Sequence, residues 1–458
     1  MRPSKWLLAS IPLFALLFAA QPPRARACGA CFHGEGENTQ VTGHRMIFSI
    51  SQARTTLWDQ ISYTGDPSSF AWVLPVKGSV EIGLSSDALF ASLDQATQVA
   101  VEPPPLQCPD PPECWYDENI GGYGGEGGAS GGEGGGGGGG VEIVAESVVG
   151  PYETVTLHST DPNALANWLS SHGYVIQSDF APVVSAYVQE GFDFVALKLV
   201  PGKGVTAMRP VRITTDGAGV ALPLRMVAGG TGVTTPITLW VMGNGRYETK
   251  STPTFTISED QLVWDFATSS SNYSMLRKEG LADGSWLAET SSPIPTGVIS
   301  GPIDDTIFYD PVSSGYGDAN GLHAAEEADA DYDKLWGTLP SQPWLTRLRA
   351  ELPRSALSTD LVLGASSDQT AVPGNLTAAN GINVPPCPTY TCSDGTTYSG
   401  SSGGTIGDGG GSGHGCSGGC TVGSESDSIG GLQPVHHRAR AAVAAAQADA
   451  LSHRAVLG

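Results

Sequence analysis

Cys28 and Cys31, two residues apart with His33 just beyond, are the first residues in this chain whose types and spacing suit chemistry. A C-x-x-C pair serves as a redox dithiol, as half of a zinc site, or as a small disulfide clip. The 8 cysteines fall into near-neighbour pairs: Cys28 with Cys31, Cys108 with Cys114, Cys387 with Cys392, and Cys416 with Cys420. An even number in local pairs reads as a disulfide set, although eight cysteines allow about 105 connectivities. Closing a four-residue loop gains about 2 kcal/mol in the chain-entropy model, whereas joining Cys28 to Cys114 gains about 4.6. Long-range pairing therefore stays open. No other pair repeats the C-x-x-C spacing as a matching zinc half-site, and the Cys28 pair precedes every predicted strand, unlike a thioredoxin-like dithiol. The expectation is structural disulfides.

Other motifs are weaker. G-x-S-x-G occurs around Ser130, Ser402 and Ser417, but a nucleophile elbow needs a strand before the serine and a helix after it. All three lie in Gly/Ser-rich tracts with neither. H-E-x-x-H is absent from the sequence, and Gly202-Lys203-Gly204 lacks the remainder of a phosphate loop. No catalytic residue is assigned, and no cofactor is expected. In EEADADYD, Asp329, Asp331 and Asp333 alternate as in a calcium loop. The sixth position is Lys334 rather than Gly, and the twelfth is Pro340 rather than Glu. The reading is a solvated acidic segment with diffuse, salt-sensitive cation association and no stoichiometric calcium site. His33, His44, His158 and His172 are scattered and read as structural or exposed. His414 with Cys416 and Cys420 suits a soft metal only if the thiols are reduced. Trp72, Trp168, Trp240 and Trp264 read as core.

The elements that must position these residues begin with an export signal. Arg2 and Lys5 precede the apolar run Trp6–Ala20, and Ala25-Arg26-Ala27 offers a cleavage site. Residues 1–27 read as a secretory signal, which leaves Cys28 as the first mature residue. A lipid-modified Cys28 is conceivable, but Ala25 and Arg26 fit a lipoprotein signal poorly, so simple cleavage is favoured. No later segment approaches the roughly 18 apolar residues of a spanning helix, so no transmembrane segment is expected in the mature chain. Outside the cytosol, cysteines oxidise and stay oxidised. Removing residues 1–27 leaves 19 basic against 46 acidic residues, a formal charge of −27. That balance, with no basic stripe, argues against nucleic-acid partners and against adhesion to anionic lipid. An envelope or extracellular partner of unknown identity is expected instead.

VTGHRMIFSIS, RTTLWDQISYTG and FAWVLPV read as strands, with a turn at Gly65-Asp66-Pro67. SSDALFASLDQA reads as a capped helix with Leu89, Phe90 and Leu93 on one face. VEIVAESVVG, PYETVTLHS, FDFVALKLVPG, PVRITT, VALPLRMVAGG and TPITLWVMGNG read as further strands. DPNALANWLSSHGY reads as a helix, and so do the stretches around Ala324–Leu335 and Trp344–Glu351. The fold class is α+β, mainly antiparallel strands with a few helices and room for two subdomains. The expected divisions are 28–106, a Cys/Pro/Gly-rich flexible insert over 107–140, a main α+β part over 141–366, and a low-complexity Gly/Ser/Cys tail over 367–458 ending in an Ala-rich basic segment.

The order of motifs carries a resemblance. Gly65-Asp66-Pro67 leading into FAWVLPV, then SSDALFASLD, a Gly-rich insert and VVGPYETVTL open the series. DPNALANWL, GFDFVALKL, LPLRMVAGG with ITLWVMG, and WLTRLRAELPRSALSTDLVL follow. The series is similar to the bacterial family catalogued as domain of unknown function 2330, common in myxobacteria and related Gram-negative bacteria. The resemblance implies an exported bacterial envelope protein and assigns no catalytic residue. The reading is a non-catalytic envelope or secreted binding or structural protein. The alternatives are an enzyme with a site not recognisable from sequence, and a metal-handling protein using cysteines or acidic clusters.

Overall fold

The computed structural model describes residues 31–33, 40–64, 70–108, 147–157, 164–171, 181–200, 208–228, 233–392, 397–399 and 420–422. Contacts divide the chain into two units, one of residues 1–104 with 132–384 and one of residues 105–131 with 385–458. The first unit joins the two stretches that the sequence separates at the Gly-rich insert, and it extends beyond residue 366. Leu376 and Ala378 are buried in a cluster with Leu262, Leu281 and Leu287. The strand Asn375–Thr377 pairs with Ala100–Glu102.

The first unit is built on an eight-stranded sheet. Its spatial order is Thr254–Phe255, Trp286–Pro293, Trp344–Pro353, Thr234–Gly243, Gln40–Ile50, Arg54–Thr64, Val211–Asp216 and Val80–Leu84. Neighbours run antiparallel except Thr234–Gly243 beside Gln40–Ile50 and Thr254–Phe255 beside Trp286–Pro293. Strand alternation explains how this sheet is covered on both faces. Met46, Phe48, Leu57, Leu239 and Val241 enter one core, while Ile47, Trp58, Trp240 and Met242 enter another.

The second of these cores holds the helices Asp87–Ala96, Gly297–Tyr309 and Ala324–Trp336 against the sheet. The first core is closed by a five-stranded antiparallel sheet, ordered Cys31–His33, Phe70–Val76, Asp193–Leu199, Tyr152–Leu157 and Ser147–Val149. Its Trp72, Leu74, Val195 and Leu197 face the larger sheet. Ala71, Val73, Phe194 and Ala196 face outward onto the helix Ala181–Gln189 through Val184 and Tyr187. The unit is thus layered helix, sheet, sheet, helix. It is α+β and mainly antiparallel, and among the described residues no helix is long and apolar enough to cross a membrane.

Two expected elements change type. WLTRLRAEL is not a helix but the strand Trp344–Pro353, a central member of the large sheet. Its leucines and helix-favouring Arg and Glu mimic a helical stripe, yet Leu348, Ala350 and Leu352 enter one core at period two while Arg347 and Arg349 both reach Glu289. VALPLRMVAGG yields only the two-residue strand Ala221–Leu222, followed by the short helix Leu224–Val227. Pro223 lacks the N–H that a continuing strand ladder needs.

Candidate ligand-binding site

The acidic stretch that resembled a calcium loop is a helix, Ala324–Trp336, and it is not a solvated segment. Asp331 is fully buried. Its Oδ1 accepts from Arg212 at 2.5 Å and from Trp58 Nε1 at 2.9 Å. Its Oδ2 accepts from Tyr316 Oη at 2.8 Å and from Ser85 Oγ. Burial pushes this carboxyl up, while Arg212 and the three further donors pull it back. Asp333 points elsewhere, to Arg54 at 3.0 Å, and Asp329 is exposed. The helix therefore spreads the carboxylates instead of converging them. Among the described residues, no three His, Cys, Asp or Glu side chains are grouped to hold a metal ion.

This hub ties the helix to one end of the space between the two sheets. Arg209, just before the strand Val211–Asp216, donates to Ser85 O, to Gly317 O at 3.1 Å, and to Glu327 Oε2 at 2.7 Å. Gly317 N donates to the same Glu327 oxygen. Gly317 has φ of +74°, and an added Cβ would sit 2.3 Å from Leu322 O. Only glycine fits there.

A cavity of about 380 Å³ opens beside Arg209, within the size range of small-molecule sites. The register explains it. The pairing of Arg54–Thr64 with Val211–Asp216 ends at Asp59 opposite Val211, so Gln60, Ile61 and Ser62 part from Arg209 and Pro210. Trp72, Tyr152 and Leu197 of the smaller sheet form a wall, and Met208 adds apolar surface. Its two arginines are committed elsewhere. Arg209 is held as above, while Arg45 donates to Phe90 O at 2.9 Å and lies over the Phe90 and Trp240 rings. Burial lowers the Arg45 pKa, opposed by Asp94. Asp87 accepts from the neutral Gln60 amide, and Asp59 is paired only with a histidine among the described side chains. Asp87 also attracts Arg45 electrostatically, and with Asp59 it gives the cavity two carboxylates beside two aromatic rings.

That histidine is His44. Its Nδ1 donates to Asp59 Oδ1 at 3.3 Å, and its side chain is 1% exposed. Its Nε2 has no hydrogen-bond partner among the described residues. No serine hydroxyl or cysteine thiol among the described residues is bonded to this nitrogen, so no nucleophile stands paired with a base there.

The cysteines depart from the near-neighbour pattern. Cys108 is joined to Cys387, with Cα atoms 5.5 Å apart, a long-range pairing of the kind that the sequence left open rather than a join between near neighbours. A bridge closing a long stretch of chain gains more than a local clip, as the loop-entropy argument requires. Cys392 is the register partner of Cys420 in a small antiparallel sheet, and Cys31 lies on a strand paired to Trp72. Cys28, Cys114, Cys416, Ser130, Ser402, Ser417, His158, His172, His414 and Gly202–Gly204 lie outside the described residues, as do the export signal and the Gly-rich insert. Trp72 and Trp240 are core residues, and Trp168 and Trp264 are half-buried against apolar clusters. Asp59 and Arg209 were not legible as site residues, because only cross-strand register brings them to one cavity.

A two-sheet α+β chain with a cavity where the large sheet's strand Arg54–Thr64 loses its partner Val211–Asp216 past Asp59 is the class that fold and site define. The family model described as uncharacterized protein conserved in bacteria (DUF2330) matches residues 22–363, and the chain belongs to that family. No curated protein and no solved structure matches it.

Proposed function

We propose that this is an exported bacterial protein that binds a small cationic amphiphile without transforming it, in the cavity beside Arg209. One observation carries the reading. The cavity's aromatic wall, Trp72 and Tyr152, stands beside Asp59 and Asp87, while both lining arginines are held by protein groups. An ammonium or guanidinium on an apolar body matches that lining through charge and cation–π attraction. Export is supported by the Arg2–Lys5 start, the apolar run to Ala20 and the small residues Ala25 and Ala27.

Calorimetric titration of the purified mature chain with matched aromatic amines, alcohols and carboxylates tests this. Amines should bind selectively, and Asp59→Asn with Asp87→Asn should weaken them at least about tenfold, a difference of about 1.4 kcal/mol. Equal affinity for the carboxylates would overturn it. N-terminal sequencing of the exported chain should begin at Cys28; a start at Met1 would remove the export claim.

A further inference from the structure

We propose that His44, Met46 and Met226 form a binding site for one soft monovalent metal ion, of the Cu(I) or Ag(I) class. Its donor atoms lie outside the amine cavity, although Asp59 and Trp72 line both spaces, and the proposal does not depend on amine binding.

The starting point is the unpartnered Nε2 of His44. Leaving a buried polar atom without a partner costs about 1–3 kcal/mol, so a native protein that does so invites a ligand. Asp59 accepts from Nδ1, which puts the imidazole proton there and leaves a lone pair on Nε2. A carboxylate holding the far nitrogen of a ligating histidine is the recurrent arrangement behind metal-bound imidazoles.

His44 lines a small cavity of about 20 Å³, together with Met46 and Met226. The strand Gln40–Ile50 puts His44 and Met46 on one face, two residues apart, and pairs Met46 directly with Asp59. Met226 enters from the short helix Leu224–Val227. Both methionines are buried, at 2% and 1% exposure. The space fits one ion or one water. Besides His44 and Asp59 the walls, such as Leu57, Leu74 and Leu222, are apolar, so a water there meets at most two polar residues, the fewest that buried waters take.

Ligand softness and charge choose the ion. One imidazole nitrogen and two thioethers are neutral donors that suit Cu(I) and its analogues, whereas zinc sites are built from thiolates, imidazoles and carboxylates. A single positive charge is balanced by the Asp59 carboxylate behind His44. A divalent ion would leave a net charge in the interior, which is costly.

Ag(I), which needs no reductant, is the probe. The full mature chain, stripped of metal and with its disulfides intact, is titrated with Ag(I) against a competing chelator, and the bound ion is examined by X-ray absorption. One tightly held equivalent is expected, with nitrogen and thioether sulfur in its shell. Met46→Leu with Met226→Leu, which keeps volume, should abolish that equivalent. Asp59→Asn should weaken it roughly 10–100-fold. Neither methionine lines the amine cavity, so losing silver while retaining amine binding identifies two sites. An undiminished equivalent in the double variant overturns the proposal. If that variant does not fold, a wild-type shell lacking sulfur, or no binding against the chelator, overturns it instead.

Discussion

Asp331 shows what one residue decides. Its carboxylate draws Arg212, Trp58, Tyr316 and Ser85 to a single point, joining the helical layer to the large sheet. Asp331→Ala leaves Arg212 buried and unpaired, and should cost about 3–5 kcal/mol in urea unfolding. A loss below about 1 kcal/mol would contradict this role. The tyrosines supply the pH dependence. Burial raises the phenol of Tyr273 to about 12 and drives Tyr187, Tyr316 and Tyr332 upward as well. Their stabilisation is fully present below the unfolded value of about 10 and is lost as pH rises toward the folded ones. Urea midpoints should therefore fall above about pH 10, and a midpoint unchanged there would remove the effect. The alternating aspartates were visible in the sequence, but the burial of Asp331 was not. Two neighbours of like type on one helix differ only in which tertiary partner they meet.

At the scale of elements, the strong periodic segments were readable. Gln40–Ile50, Arg54–Thr64, Phe70–Val76 and the helix Asp87–Ala96 lie where alternation and capping place them, and Ser86 accepts from Ala88 N as N-cap. Trp344–Pro353 was not readable as a strand, because local propensity opposed a choice made by pairing on both sides, with Thr234–Gly243 and with Trp286–Pro293. The strand assignment has a mutational signature. Leu348 is fully buried, so Leu348→Ala should cost about 2–5 kcal/mol. Glu351 is exposed, and Glu351→Lys should stay within about 0.5 kcal/mol. Comparable losses at both positions in denaturant unfolding would contradict the alternation.

Across the whole molecule, composition and strand runs indicated the α+β class, but not that the residues on either side of the Gly-rich insert build one layered unit. Nor could spacing reveal the Cys108–Cys387 bridge, since residues 279 positions apart leave no local trace. Peptide mapping without reductant should recover that cross-linked pair; a Cys108–Cys114 peptide would contradict it. The cavity arises at this same scale, where two strands of the large sheet part past Asp59 and both lining arginines are bonded to protein groups. If the cavity takes a cation through its carboxylates, an amine titration of wild type beside Asp59→Asn/Asp87→Asn shows it. Saturable binding of one amine per chain is expected, weakened at least about tenfold in the double variant and with the amine recovered unaltered. Binding indifferent to both carboxylates, or conversion of the amine to product, would contradict it.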